Sequence, residues 1–436
     1  MRIWIISSGA EILQGLYPDT NAWWLSARLL ELGFEVERHL ALPDRDEALR
    51  DEIARAAHCC DLIVMSGGLG PTEDDLTRAA VARIYDVKLI EDARALGEIE
   101  ERFKKRGREM AASNRVQALL PAGSTPLYNQ WGTAPGFVIE PRGADSELRA
   151  TLCALPGPPR ELRPMFDRLA APILLERFAD RRRSIRTLTM HTVGLAESHV
   201  NDRLADLFGA DPKVNLALLA GQWRVDVRLT LAAESPEENA ALAARWRAWI
   251  AERLGADRIF GEGAATLPEV VGSLLRARGQ TLAAAESCTG GLVAKQITDV
   301  AGSSDYFIEG FVTYSNAAKT RALGVDAKLL ESRGAVSPQV AEAMAASARR
   351  VTGADWAIGV TGVAGPGGGT AEKPVGLVYL GLASPDGAVR NKRLMSVAGD
   401  REGVREFTAV CALDWLRRAI LRVESGEGES RLPRAV

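Results

Sequence analysis

Two stretches of this chain, residues 1 to about 170 and about 266 to 424, share one pattern: short, wholly apolar runs alternate with segments of helical period. That pattern constrains the fold most. A strand that is apolar on both sides needs cover on both faces, and strand–helix alternation supplies it as crossover helices over a parallel sheet. In the first stretch, residues 3–6 and 62–65 read as buried strands and 34–40 as a third. Asp19 reads as the cap of a helix carrying Trp23, Trp24, Leu25 and Leu29, with Gly33 just past its end. Asp44 reads as the cap of the next helix, and another helix is expected from about Asp74. In the second stretch, helices at 266–278, 291–299, 337–351 and from 401 are expected among strands at 281–285, 306–314, 355–360, 375–382 and 389–397. Ligands of such sheets sit beyond the carboxyl ends of the strands.

Residues 175–260 differ. Segments 185–193 and 224–232 alternate polar and apolar, as half-exposed antiparallel strands do, with helices expected from Glu197 and over 235–254. The segment is similar to an RNA-binding KH domain but lacks the GxxG loop that clamps a nucleic-acid backbone. It reads as a spacer or dimerisation element. The expectation is therefore an α/β chain: two three-layer αβα domains with mainly parallel sheets, joined by a small α+β KH-like domain. Its boundaries are 1–172, 173–261 and 262–424, with a flexible tail at 425–436.

A length of 436 residues is too great for one core, and a net charge of -3 gives no field that attracts polyanions. Direct nucleic-acid binding is not expected. The five cysteines (Cys59, Cys60, Cys153, Cys288, Cys411) are scattered, without the spacing of a metal clip or a disulfide framework. With no leader-like segment and no apolar run long enough to span a bilayer, a reducing, cytoplasmic setting is expected.

Near the start of the second block, the strand at 281–285 runs into Glu286, Ser287, Cys288, Thr289, Gly290 and Gly291, then a helix. Glycines there let a ligand approach the backbone, and helix-start N–H groups favour an anion. Taken alone, this segment is better accounted for by a simple capped helix, with Ser287 or Thr289 as N-cap. The next strand ends near Tyr314 and Lys319, which places Lys319 on the same sheet edge as Ser287. A desolvated lysine is a usable base, and no histidine lies in this half of the chain. A glycine-rich loop at 361–369 includes Thr361, Gly362 and Gly365, and Arg401 and Arg405 lie one turn apart at the opening of the last helix, suited to a phosphate. In the first block, the stretch SGGLGPTEDDLT (66–77) places Gly67, Gly68, Gly70 and Thr72 beside Glu73, Asp74 and Asp75. It is neither a P-loop nor a dinucleotide fingerprint. The acids fit a divalent metal on a diphosphate, or simply helix-start acids favoured by the macrodipole.

The motifs AESCTGG (285–291), GFVTYSN (310–316), GAVS (334–337), TGVAGPGG (361–368), KPVG (373–376) and GDR (399–401) resemble, in order and spacing, the C-terminal domain of the competence-damage-inducible protein A (CinA) family. Stand-alone members of that domain are nicotinamide mononucleotide deamidases. The resemblance implies Ser287 as nucleophile and Lys319 as general base, with Tyr314 and Thr361 as supporting hydroxyls. Cys288, Thr289, Gly290, Gly291, Gly362, Gly365, Arg401 and Arg405 would contact substrate, no cofactor is needed, and helix-start N–H groups would stabilise the oxyanion. Residues 66–77, with GAEIL (9–13), DTN (19–21), NQWGTAPG (129–136) and LPGPPRE (155–161), are similar to the molybdopterin-binding-type domain of the same family. Some relatives of that domain hydrolyse ADP-ribose with a divalent metal, and others handle molybdopterin. A site of Glu11, Asn21, Gly67, Gly68, Gly70, Thr72, Asp74, Asp75, Asn129, Gly132, Pro156 and Gly157 is implied, with a metal such as Mg at Asp74 and Asp75. Ala10 departs from the family, where an aspartate is frequent. The resemblance implies small-molecule nucleotide substrates and a homodimer. The competing class is a nucleotide- or molybdopterin-binding scaffold with one or both sites inactive.

Overall fold

The computed structural model describes residues 1–143, 146–221 and 223–425, which form two compact units. The first comprises Met1–Arg186 and Ala232–Ala241, the second Thr187–Leu231 and Leu242–Val436. From residue 426 onward, the tail expected at 425–436 lies outside the described residues.

The first unit carries β1 (Ile3–Ser8), β2 (Arg38–Leu42), β3 (Leu62–Ser66), β4 (Leu89–Glu91), β5 (Leu119–Pro121), β6 (Thr125–Leu127), β7 (Gly136–Ile139) and β8 (Thr151–Leu155). Six of them form one sheet in the order β2-β1-β3-β8-β7-β6, parallel from β2 to β8, with β7 and β6 antiparallel at one edge. Both faces are covered. Trp4 and Ile6 enter one apolar core while Ile3 and Ile5 enter another, as the two-residue period of a strand requires. Asp19 caps the helix Thr20–Glu31 by accepting from Ala22 N, and Gly33 follows it with φ 91°. Asp44 is not a cap. The helix Asp46–Cys59 starts after an Arg45 that makes no side-chain cap bond, and Asp44 instead accepts from Ser8 Oγ (2.5 Å) and Ala10 N (2.9 Å). The helix expected from Asp74 begins at Thr77.

Next along the chain, and mostly within the second unit, β9 (Ser184–Val193), β10 (Val214–Gly221), β11 (Arg224–Ala233) and β12 (Ile259–Glu262) make a four-stranded sheet, order β10-β11-β9-β12, with the helices Glu197–Leu204 and Pro236–Leu254. This is the small α+β domain. It is followed by β13 (Leu282–Glu286), β14 (Phe307–Val312), β15 (Trp356–Gly362), β16 (Leu377–Ala383) and β17 (Val389–Met395), order β14-β13-β15-β16-β17. β14, β13 and β15 are parallel, and Glu286 stands level with Val312 and Val360. The residues just beyond, Ser287, Thr313 and Thr361, therefore meet at one sheet edge. Leu282 packs into one core and Ala283 and Ala285 into the other, so this sheet is also covered on both faces. Alanines suit the second face because the helix Pro338–Thr352 comes very close: a Cβ on Gly359 would lie 2.3 Å from Ala341 O. The strand expected at 306–314 stops at Val312, and two helices not foreseen, Asn316–Leu323 and Ala327–Arg333, follow it. Among the described residues no helix is long and apolar enough to cross a membrane.

Candidate functional site

Glu286 ends β13 fully buried, and its carboxylate accepts from the N–H groups of Gly291, Val293 and Ala294 at the start of the helix Leu292–Thr298. The turn between is closed by Gly290 N donating to Ser287 O, and needs φ 62° at Gly290 and 92° at Gly291, values that favour glycine. Ser287 N donates to Val360 O, which locks the turn to β15. Ser287 is thus neither a helix cap nor a solvent-exposed serine.

Lys319 comes from the first turn of the helix Asn316–Leu323, where Ser315 is the cap, accepting from Ala318 N. Its side chain turns inward and is 1% exposed. Nζ donates to Ser287 Oγ at 3.0 Å and to Thr313 O at 2.8 Å, with Tyr314 O at 3.5 Å. Burial lowers the Lys319 pKa from its ordinary 10.5. A serine hydroxyl and a destabilised ammonium in contact make a nucleophile–base pair once the lysine is neutral.

The other residues expected at this site divide. Thr361 is buried beside the pair, but its hydroxyl donates to Ala335 O (2.7 Å). Tyr314 is 59% exposed, and its hydroxyl accepts from Arg401 Nη2 (2.7 Å), so it belongs to the rim. Arg401 also donates to Gly365 O, and Arg405 donates twice to Thr289 O, so these arginines tie the last helix to the glycine loop and the serine turn. Gly362 pairs with Val378, and a Cβ there would lie 2.6 Å from Val378 Cγ2. Thr289 is buried, with no protein partner for its hydroxyl. The expectation that Cys288 touches substrate needs correction for the side chain. It packs into the apolar core, and burial pushes its thiol up to about 12, which keeps it protonated. The oxyanion expectation also changes, because the N–H groups of Gly291, Val293 and Ala294 are committed to Glu286. The turn's N–H groups not committed to an oxygen are those of Cys288 and Thr289, which lie toward the Cys288 sulfur.

In the first unit, the glycine loop after β3 walls a cleft of about 390 Å³. Glu11, Gly67, Gly68, Gly70, Thr72, Asp74, Asp75, Pro156 and Gly157 all line it. Three other expected residues stand behind the wall. Asn21 bridges Ser66 Oγ and Gly157 O, and Asn129 holds Gly132 N and Ala134 O while donating to the buried Glu161. Gly132 leaves room for Glu161, since a Cβ there would lie 1.6 Å from its Oε2. Asp75 accepts from Gly70 N, Thr72 N and Thr72 Oγ1, so its carboxylate shapes the loop. Arg78 is buried beneath, donates to Leu69 O and Gly70 O, and is brought down to about 10 by burial.

Three family models cover these parts: "CinA C-terminal domain" over 264–420, "Probable molybdopterin binding domain" over 4–176 and "Damage-inducible protein CinA KH domain" over 187–261. A protein of Symbiobacterium thermophilum named for competence-damage induction is 44% identical over 424 residues, 96% of this chain and 98% of its own. The chain belongs to the CinA family. The "CinA-like protein" of Geobacter sulfurreducens is 43% identical, over 97% of this chain and all of its own. Among solved structures, the competence/damage inducible protein CihA of Agrobacterium tumefaciens is 42% identical over 36% of this chain and 93% of its own, with a TM-score of 0.35.

Within this CinA chain, sequence reading missed Glu286 as the organiser of the serine turn, and Asp44, Arg78 and Glu161 around the cleft. Glu286 and Glu161 were within reach, since both lie inside the quoted motifs. Asp44 had no such signal, because its partners Ser8 and Ala10 lie in a segment distant in sequence.

Proposed function

We propose that the C-terminal domain hydrolyses the carboxamide of nicotinamide mononucleotide to nicotinic acid mononucleotide and ammonia. The observation that carries this reading is the 3.0 Å contact between Lys319 Nζ and Ser287 Oγ within a buried pair. Neutral Lys319 takes the Ser287 proton as Oγ bonds to the carboxamide carbon, and Thr313 O keeps Nζ aimed. Lys319 then returns the proton to the departing nitrogen as the C–N bond breaks. Water, deprotonated by the same lysine, releases the acid from the serine ester. Arg401 at the rim meets the phosphate in this scheme. No cofactor takes part. The test is ammonia release and product identity with nicotinamide mononucleotide. Wild-type turnover surviving in Ser287→Ala would sink it.

We further propose that the N-terminal cleft hydrolyses ADP-ribose to AMP and ribose 5-phosphate. Support comes from a cleft of about 390 Å³ walled by a left-handed glycine loop, with φ 97° at Gly67 and 69° at Gly68, beside acidic side chains. Among the described residues no three His, Cys, Asp or Glu side chains gather as a metal cage. Magnesium commonly binds through one or two carboxylates plus substrate phosphates, and that donor set fits here. Asp74 is the ligand in this proposal, with Asp75 retained as loop anchor and secondary ligand. Such an ion would neutralise charge on the diphosphate. The competing scaffold reading, with nucleotide or molybdopterin held but not turned over, predicts binding without product. The proposal has the protein working as a cytoplasmic homodimer on small nucleotides. The net charge of -3 and the missing GxxG loop support leaving nucleic acid out.

A further inference from the structure

We infer that Gln117 reads the heteroaromatic ring of whatever occupies the N-terminal cleft, through an edge that sets a hydrogen-bond donor beside an acceptor. Adenine and the pterin ring both present such an edge. The inference rests on the proposed reading of that cleft as a site for a nucleotide or pterin.

Gln117 lies in the short 3-10 turn Ala112–Ala118 that leads into β5, and its side chain lines the cleft together with Thr133 and Glu161. It is 2% exposed, yet its Oε1 has no protein partner, and its Nε2 donates to no described group. A buried carboxamide left unpaired is costly, and such groups in native folds ask for an explanation. Asn129 is also buried nearby, but its Nδ2 donates to Ala134 O and Glu161 Oε2, and its Oδ1 accepts from the N–H groups of Trp131 and Gly132. One amide is consumed by the fold; the other is held ready.

Gly67, Gly68 and Gly70 offer backbone, Asp74 and Glu11 offer charge, and Gln117 is the only carboxamide among the lining residues described. A carboxamide carries its donor and acceptor side by side, and either orientation of the group presents both. That is the complement of an adenine edge, and glutamine pairs with adenine in this bidentate way elsewhere. In the cleft the division of labour is then clear: the glycine loop and acids take the diphosphate, and Gln117 takes the ring.

The test is calorimetric titration of the full-length protein, wild type, Gln117→Leu and Gln117→Glu, with three probes: ADP-ribose, 6-hydroxymethylpterin and inorganic diphosphate with magnesium. Gln117→Leu should weaken one of the two ring-bearing probes tenfold or more and leave diphosphate within twofold. Whichever probe is weakened identifies the source of the ring. Gln117→Glu keeps a polar, similarly shaped side chain but only accepts at neutral pH, so it should lose affinity for the same probe. That variant decides the matter if Gln117→Leu does not fold. Unchanged ring affinity in both variants overturns the role of Gln117 while leaving the cleft reading intact. Equal weakening of diphosphate overturns it too, because the residue would then be shaping the cleft as a whole. A wild type that binds none of the three probes overturns the cleft reading and the inference together.

Discussion

Lys319 is a residue the fold accommodates at a cost. Its amine is buried against Ser287 and Thr313 O, and burial lowers its pKa from 10.5. Below the lowered value both folded and unfolded chains hold the proton, and the fold bears the whole desolvation cost. Between that value and 10.5 the unfolded chain binds more protons, so stability rises with pH through this window and the cost is gone above it. Lys319→Met should therefore be as stable as wild type at pH 7, or more stable by about 1 kcal/mol in chemical denaturation, while ammonia release falls by about 10³-fold or more. Wild-type activity should rise with pH through an apparent pKa below that of free lysine. Ser287→Ala should lose as much rate as Lys319→Met, and the double variant little more, since the two act as a unit. Cys288→Ala should keep its rate, because a thiol pushed up to about 12 is neither ionised nor, in the core, within reach of substrate. A dead Cys288→Ala beside an active Ser287→Ala would make this a cysteine amidase.

At the scale of the element, the two sites use the same device: a carboxylate folds back on backbone N–H groups to fix a glycine turn after a parallel strand. Glu286 does this for the serine turn, and Asp75 for the loop after β3. Glu286→Gln keeps one acceptor oxygen for three donors, so about 1–2 kcal/mol of stability should be lost. Its kcat should fall more than its KM changes, because Ser287 shifts while the rim is untouched. The acids of the N-terminal loop should separate in the same way. Asp75→Asn should lower the thermal midpoint, whereas Asp74→Asn should leave it in place and abolish ADP-ribose cleavage. Cleavage that persists with chelator present rules out the metal. The strand–turn–helix frame was legible in the sequence because both sheets bury two faces, leaving continuous apolar runs at residues 3–6, 62–65 and 282–285. The helix Asn316–Leu323 was not legible, for a physical reason. Its buried residues are Lys319 and Leu323, so a lysine occupies the place where helical period shows an apolar residue. Ser287 and Lys319 could be placed on one sheet edge from strand order, but their contact depends on that unseen helix. The cap assigned to Asp44 failed similarly, because its partners Ser8 and Ala10 lie more than thirty residues away in sequence.

The whole second unit bears on whether the amidase is a module. The family model for the C-terminal domain begins at residue 264, but the unit that holds the site also contains most of the small α+β domain. Val193 and Phe260 from that domain sit in the same apolar core as Val360 and Val404, and Phe260 stacks on His191. Arg417 and Arg418 on the last helix reach back to Asp257 O and its carboxylate. Trp223, at the tip of the β10–β11 hairpin, packs against Phe407 with ring centroids 5.0 Å apart, close to the helix start that carries Arg401 and Arg405. None of these contacts touches Ser287, Lys319 or Glu286. A fragment of residues 264–425 should therefore keep the nucleophile–base pair and release ammonia, but lose about 2 kcal/mol for each of Val193 and Phe260 and expose their packing surface. A fragment of residues 187–425 should regain that stability. Thermal midpoints and ammonia release from the two fragments and the intact chain decide the point. If the longer fragment is active and the shorter one is folded but inactive, the small domain does more than cover a core, and the Trp223 contact with the last helix becomes the first place to look.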